Sequence, residues 1–324
     1  MGDGSRLPGP GELAAAPLSG GVLTSEPQSP AEPLAALAAR YGLRPSAARP
    51  PLPRYLRTVW RRRHFITGYA AARSASTYTD ARLGQVSQVL TPLLNAGVYY
   101  LIFGVIFQAR RGIPNYPAFL VAGVFVFAFT ERSVLVGSTV MTGNLALIRA
   151  MYFPRACLPL AYILVELQQL LVSLVVLAGI VLATGEPVTW YWLALLPALA
   201  LQSGFNVGAG LIMARLGAQI GDIGQLVPFF TRTWRYFCGV MYSVAALPVA
   251  VPGWAKAILA GNPAAVFISL TRWSLLASQR TATASARPLL STGDLWLCGA
   301  GWAVLAVAAG TVYFWQAETR YGRG

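Results

Sequence analysis

Six long apolar runs, almost free of charge, are the feature that most restricts what this chain can fold into. The first lies between Arg82 and Arg110, where no residue is charged. Only 11% of the 324 residues are charged, against roughly 25% in a soluble domain. So few charged residues cannot cover a soluble globule, so we expect the chain to lie in a lipid bilayer, which only α-helices or closed β-barrels can span. These runs lack the alternation of polar and apolar residues that barrel strands need. We predict an all-α integral membrane protein with six transmembrane helices, near 87–107, 117–140, 157–183, 190–214, 225–247 and 295–316.

The basic residues beside these runs indicate the orientation, because inner flanks carry an excess of arginine and lysine. With the N-terminus inside, fourteen arginines flank the inner ends: Arg54, Arg57, Arg61, Arg62, Arg63, Arg73, Arg82, Arg149, Arg155, Arg215, Arg232, Arg235, Arg320 and Arg323. Six basic residues lie outside: Arg110, Arg111, Lys256, Arg272, Arg280 and Arg287. We predict an N-in/C-in topology. The net charge of +14 then reflects topology and lipid headgroups, and nucleic acid is not expected as a partner.

The first 53 residues differ from the rest, with 10 of the 22 prolines and no long apolar run. We expect a disordered cytoplasmic tail over 1–53 and a transmembrane domain over 54–324. The segment after the tail places Tyr55, Leu56, Val59, Trp60 and Ile66 on one side of a helical wheel and most arginines on the other. It is either an amphipathic helix lying on the inner membrane surface or a basic flank that sets topology.

Catalytic and metal-binding motifs are scarce. No phosphate-binding loop of the G-x-x-x-x-G-K-[ST] type occurs, and the only lysine, Lys256, lies in another context. We therefore expect no cofactor on this chain and, if ATP drives it, ATP and Mg²⁺ on a separate subunit. His64 is the only histidine, so no metal site is predicted. Glu131 and Glu166 are the only acidic residues within the spans, too few for an ion relay.

A short polar segment follows the second span. Asn144 is a good N-cap, and Pro154 is expected to stop a helix that begins there. Such a helix would project Ile148, Arg149, Tyr152 and Phe153 from the membrane, a shape that fits a groove on a partner. The alternative is an ordinary turn between spans.

Several motifs, in their order along the chain, resemble those of type-2 ABC exporter permeases that move lipid-linked polysaccharides. The first cytoplasmic loop of that family is matched by Asn144, Leu147, Ile148, Phe153, Pro154, Arg155, Leu158 and Pro159. The stretch around Asp222-Ile223 resembles the second cytoplasmic loop, "GNPAAVFISL" resembles the segment before the last span, and "FWQAETRYGRG" with Glu318 resembles the C-terminal ending. Gly221 stands where many relatives have arginine, which puts the ion pairing of Asp222 in doubt.

The resemblance implies a homodimer of this permease with two ATPase subunits, in a bacterial plasma membrane. The substrate would be a glycan of the teichoic acid, O-antigen, capsule or galactan type on a polyprenyl diphosphate. Contact with the ATPase would fall to Asn144, Ile148, Arg149, Tyr152, Phe153, Arg155 and Asp222. The region 248–294 would form a re-entrant gate before the last helix, with Pro252, Asn262 and Pro263 at its turns; the alternative is a structured outer loop.

Five charged residues fall at similar depths in the inner half of the spans: Glu131, Arg132, Glu166, Arg232 and Arg235. They would line a vestibule for a diphosphate head group, with the glutamates holding the guanidinium groups. The alternative is internal ion pairing that only fixes helix packing. Two roles stay open for five aromatic side chains, stacking on sugars or lying in the membrane interface: Tyr99, Tyr100, Trp190, Trp192 and Tyr242. The interface is favoured for Trp190 and Trp192.

Other functional classes fit less well. A secondary carrier would be expected to show inverted repeats or more carboxylates within the membrane. A membrane enzyme acting on lipid-linked sugars would need clustered acids, whereas Asp80, Asp222 and Asp294 are scattered. An ABC permease for a drug or a simple lipid stays open as the alternative substrate.

Overall fold

The computed structural model describes residues 50–79, 84–106, 113–151, 153–244, 247, 251–285 and 290–318. All regular structure within these ranges is helical. The expected tail lies outside them up to residue 49, as does Tyr152.

The α-helices of the described ranges are numbered here in chain order. They are α1 (Leu52–Arg61), α2 (Arg63–Thr79), α3 (Gly84–Tyr99), α4 (Tyr116–Gly143), α5 (Leu145–Ala150), α6 (Cys157–Ala183), α7 (Leu195–Gln219), α8 (Ile223–Phe237), α9 (Gly253–Gly261), α10 (Pro263–Leu275), α11 (Ala277–Ser285) and α12 (Thr292–Gln316). A π-helical segment, Tyr100–Ile106, continues α3, and a 3₁₀ segment, Trp190–Ala194, precedes α7.

Four helical stretches in the described ranges are long and apolar enough to cross a membrane: Tyr116–Gly143, Cys157–Ala183, Trp190–Gln219 and Thr292–Gln316. They correspond to the second, third, fourth and sixth predicted spans. The first predicted span is built from α3 and the π-helical segment, whose apolar part, Leu93–Ile106, is shorter.

The fifth predicted span is wrong at its far end. It was expected to reach residue 247, but α8 ends at Phe237. Its 15 residues cover about 22 Å at 1.5 Å per residue, less than the ~30 Å core. Gly239 has a φ of +64°, a left-handed conformation that glycine adopts without steric cost, and this turns the chain out of the helix.

Helix α4 is the centre of the bundle and packs against both α6 and α7, which also contact each other. Its large side chains Phe125 and Phe127 are almost fully buried. Helix α7 also packs closely along α12. A Cβ atom added to Gly208 would overlap the backbone of Ala306, so glycine at this position permits the close approach of the two helices.

The amphipathic segment forms two helices that break at Arg62. Tyr55 is buried, whereas Leu56 and Trp60 are exposed. The predicted apolar side is thus divided, because part of it packs on the bundle and part faces outward. Helix α2 runs along α6, where the Ser74 hydroxyl donates to Oε1 of Gln168 at 2.8 Å.

Candidate functional site

The segment expected to contact an ATPase is shorter than predicted. Helix α5 spans only Leu145–Ala150, and the Asn144 side chain does not cap it. The Asn144 amide instead donates to the Val140 carbonyl at 2.8 Å and meets the hydroxyls of Tyr69 and Tyr162. Asn144 therefore fastens the end of α4 to α2 and α6, a role that depends on partners distant in sequence.

Two of the four side chains expected to project outward are buried, and that expectation is wrong for them. Ile148 is 7% exposed and Phe153 is 9% exposed. Phe153 packs against Phe65 of α2, with ring centroids 5.2 Å apart. Helices α1 and α2 cover this side of α5, and burying its apolar side chains there is favourable.

The exposed face of α5 consists of other residues. Arg149 is exposed, and Leu145 and Met151 are 39% and 47% exposed. Asp222 is also exposed, at the turn before α8, and its side chain does not cap that helix. These four exposed side chains lie in the two loop segments that were expected to contact an ATPase.

The five predicted vestibule residues are not brought together in one cluster. Arg235 forms an ion pair with Glu131 and donates to the Tyr99 hydroxyl at 2.7 Å. Both charged side chains of the pair are 17% exposed. The guanidinium group also lies 5.5 Å from the centre of the Phe127 ring. A charged, half-buried site therefore joins α3, α4 and α8.

Arg132 belongs to a second group, because successive residues of a helix point about 100° apart. It donates to Oε1 of Gln169 at 2.8 Å and lines a cavity of about 10 Å³ with Glu166 and Ser173. Glu166 is buried, and its Oε2 atom has no hydrogen-bond partner among the described residues. Arg232 joins neither group; its side chain is exposed on α8.

The predicted gate region forms a pair of short helices, α9 and α10, joined at Asn262. Pro252 precedes α9 and Pro263 begins α10. The Asn262 side chain accepts from the Ala264 backbone N–H at 3.1 Å and from Nε1 of Trp234 at 3.1 Å. The turn between the helices is thus tied to α8.

Arg272 of α10 is a functional candidate that sequence reasoning missed, since it was counted only as an outer basic residue. It is 6% exposed. Its guanidinium group donates to three backbone carbonyls, those of Phe119 at 3.0 Å, Gly239 at 2.9 Å and Val240 at 2.7 Å. The last two carbonyls lie just past α8, where helical hydrogen bonds have stopped. Arg272 therefore stabilises the turn that ends α8 and holds it against α4 and α10.

Glu186 is a second residue that the sequence did not single out. Its carboxylate accepts from Nδ2 of Asn115 at 3.1 Å, and from the backbone N–H of Ser278 at 3.1 Å and the Ser278 hydroxyl. These bonds connect the start of α4, the turn after α6 and α11. Burial raises the pKa of Glu186, but the hydrogen bonds from Ser278 and Asn115 outweigh burial and hold the pKa below its ordinary value.

Acidification is expected to weaken this connection. Because the folded-state pKa of Glu186 is depressed, its contribution to stability is present above the ordinary carboxyl pKa and is lost as the pH falls through the folded value. The melting temperature of the purified protein should therefore fall between about pH 5 and pH 3. E186Q should melt lower at neutral pH and show a weaker pH dependence. Equal pH dependence in both proteins would show that the carboxylate charge does not matter here.

The model of the family described as ABC-2 type transporter matches residues 69–276. This stretch contains the candidate coupling surface, the charged groups and the paired short helices.

Curated relatives carry the name "O-antigen export system permease protein RfbA". One from Klebsiella pneumoniae is 27% identical over 172 residues, which is 53% of this chain and 66% of the relative. One from Myxococcus xanthus is 23% identical over 194 residues, or 60% of this chain and 74% of the relative. The matched stretch thus spans about two thirds of each relative's length.

Proposed function

The chain belongs to the ABC-2 type transporter family, and on that premise we propose that it is the permease subunit of an ATP-driven exporter of a lipid-linked cell-surface glycan. The observation that carries the proposal is the similarity to relatives named as O-antigen export permeases. The protein is a multi-pass protein of the bacterial plasma membrane, in keeping with its four long apolar helices. We propose six crossings in an N-in/C-in arrangement, in which α3 with its π-helical continuation forms the first crossing and α8 with the turn that follows it forms the fifth.

ATP hydrolysis is assigned to a separate subunit, since the sequence has no phosphate-binding loop. We propose that this ATPase docks on the surface formed by Leu145, Arg149, Met151 and Asp222. Arginine is enriched among the few residues that dominate protein interfaces, and the two exposed apolar side chains, Leu145 and Met151, add apolar area whose burial by a partner is favourable.

The transport path is proposed to lie between two copies of the permease. Apolar side chains are exposed along α3 and its continuation, including Leu94, Val98 and Leu101, and along α8, including Phe229 and Phe230. The Glu131–Arg235 pair lies where these two elements meet α4. The Arg235 guanidinium would bind the diphosphate of the lipid carrier there, and Tyr99 would position it.

The proposal is tested by reconstituting the permease and its ATPase in proteoliposomes. A polyprenyl-diphosphate glycan should stimulate ATP hydrolysis and appear on the opposite face in an ATP-dependent manner. Stimulation by a simple phospholipid or a hydrophobic drug, with none by the glycan, would assign the chain to a different ABC exporter. Movement of the glycan without ATP would instead indicate a secondary carrier.

The docking surface can be tested separately. Replacing Leu145 and Met151 with serine removes apolar area from exposed positions, so the fold should be retained. Binding of the ATPase should weaken by about tenfold or more, which corresponds to ~1.4 kcal/mol. H64A, which changes an exposed side chain of α2, is the matched control and should bind normally. Affinity unchanged by the double substitution would mean that α5 is only a turn.

A further inference from the structure

A single carboxylate, that of Glu318, connects three distant segments of the chain. Its Oε2 atom accepts from the Tyr55 hydroxyl of α1 at 2.8 Å, and its Oε1 atom accepts from the backbone N–H of Arg155 at 3.0 Å. The Arg155 guanidinium donates to the Glu318 carbonyl. The Tyr55 oxygen also accepts from the backbone N–H of Ala156 at 3.3 Å. Each segment therefore contacts both of the others.

The junction lies in an apolar setting. Tyr55 is 3% exposed, and Phe314 and Ala317, just before Glu318, are each 1% exposed. Burial raises the pKa of the Glu318 carboxyl, although the Arg155 and Tyr55 hydrogen bonds oppose this. Hydrogen bonds are electrostatically stronger in such surroundings than in water, and leaving a member without a partner is costly. The three segments are thus expected to move together.

The position of the junction gives it a mechanical role. Arg155 follows α5, the segment proposed to contact the ATPase, and Glu318 follows α12 directly. Helix α12 packs along α7 and α10. About 24 Å along the chain from Glu318 at helical rise, Trp302 donates from Nε1 to the carbonyl of Gly261 at 2.9 Å. Gly261 is the last residue of α9, next to the turn of the paired short helices.

We propose that Glu318 is a positioning residue of the transport cycle, which transfers displacement of α5 through Arg155 to α12 and so to the α9–α10 pair. The proposal rests on the proposed function, because it needs an ATPase that displaces α5. It adds a specific route from the docking surface to the gate. In this route Tyr55 holds the amphipathic helix to the same carboxylate, so that α1 moves with α12.

The test uses E318Q and Y55F in the complete permease–ATPase complex. The reporter is the thiol of W254C on α9, whose native side chain is 70% exposed, in a chain with its three cysteines replaced by alanine. Reactivity toward an impermeant maleimide is compared without nucleotide and with ATP and vanadate. In the unmodified junction we expect the reactivity to change with nucleotide. E318Q should reduce that change by about fivefold or more, roughly 1 kcal/mol of lost coupling.

A matched control separates coupling from folding. W315F removes a different hydrogen bond at the same helix end, from Nε1 of Trp315 to the Pro50 carbonyl at 2.9 Å, and should leave the nucleotide response intact. ATPase binding and hydrolysis should persist in E318Q, and E318Q/Y55F should be no worse than E318Q alone. A nucleotide response in E318Q equal to that of W315F would overturn the proposal. The proposal would also be overturned if a complex with native Glu318 and Tyr55 hydrolysed ATP while the maleimide reactivity of W254C stayed the same. A permease that neither binds nor stimulates an ATPase would instead overturn the proposed function.

Discussion

R272M is expected to be among the most destabilising single substitutions in this protein. Methionine fills most of the volume but donates no hydrogen bond, so the carbonyls of Phe119, Gly239 and Val240 would lose the bonds from the Arg272 guanidinium group. Leaving a buried polar group unsatisfied costs about 1–3 kcal/mol. The Phe119 carbonyl keeps its bond within α4, but the carbonyls of Gly239 and Val240 lie past α8, so we expect a loss of about 2 kcal/mol or more. A lower melting temperature in detergent and a reduced yield of monodisperse protein should both result.

Other variants separate the effect of the Arg272 hydrogen bonds from the effect of its charge. R272K keeps the charge but lacks the planar fork that reaches several carbonyls, so it should rescue little. G123A should reproduce part of the effect, because a Cβ atom at this position would overlap the Arg272 guanidinium. Arg280 is the matched control: it also donates to backbone carbonyls, those of Trp273 and Ser274, but is only half-buried. Equal melting temperatures for R272M and R280M would contradict the proposed role of Arg272.

E131Q is expected to be strongly destabilising, and E131Q/R235Q to recover most of the loss. Removing one partner of a buried ion pair costs about 3–5 kcal/mol, whereas replacing both is often nearly neutral. Because each side chain is 17% exposed, we expect the lower part of that range for E131Q. The Arg235 guanidinium group would keep its bond to the Tyr99 hydroxyl but would lose the negative charge opposite it. Melting temperatures of the two single variants and the double variant measure the coupling directly.

The same variants distinguish the two roles left open for this pair. If Arg235 binds the diphosphate of the carrier lipid, E131Q/R235Q should fold and recruit the ATPase but transport no glycan. If the pair only fixes helix packing, the double variant should recover both stability and transport. H64A, at an exposed position of α2, is the control. Its transport of the glycan should be close to normal under either role.

The apolar runs in the sequence were sufficient to predict an all-helical protein and the places of its four longest helices. The reason is local: an uncharged stretch of this length satisfies its backbone only by forming a helix when it enters lipid. The position of the short helix α5 was also predicted to within a few residues, from Asn144 and Pro154. The region before the last span was expected from the resemblance to form a re-entrant gate, and the structure has two short helices there, α9 and α10.

The tertiary structure decided which side chains contact each other. The sequence predicts that Ile148 and Phe153 are exposed on a projecting helix, but in the folded chain α1 and α2 cover them. The sequence predicts that Arg272 is a basic flanking residue, but in the folded chain it donates to three carbonyls from two other segments.

The sequence therefore determined by itself where the four long apolar helices lie, because their entry into a membrane depends on the transfer free energy of consecutive residues. Only the folded structure determined which charges pair, where α8 ends and which side chains of α5 stay exposed. Each of these depends on groups far apart along the chain: 104 residues separate Glu131 from Arg235, and 163 separate Arg155 from Glu318. A hydrogen bond or ion pair over such a separation leaves no periodic signal in the sequence. It forms only when packing brings donor and acceptor within about 3 Å.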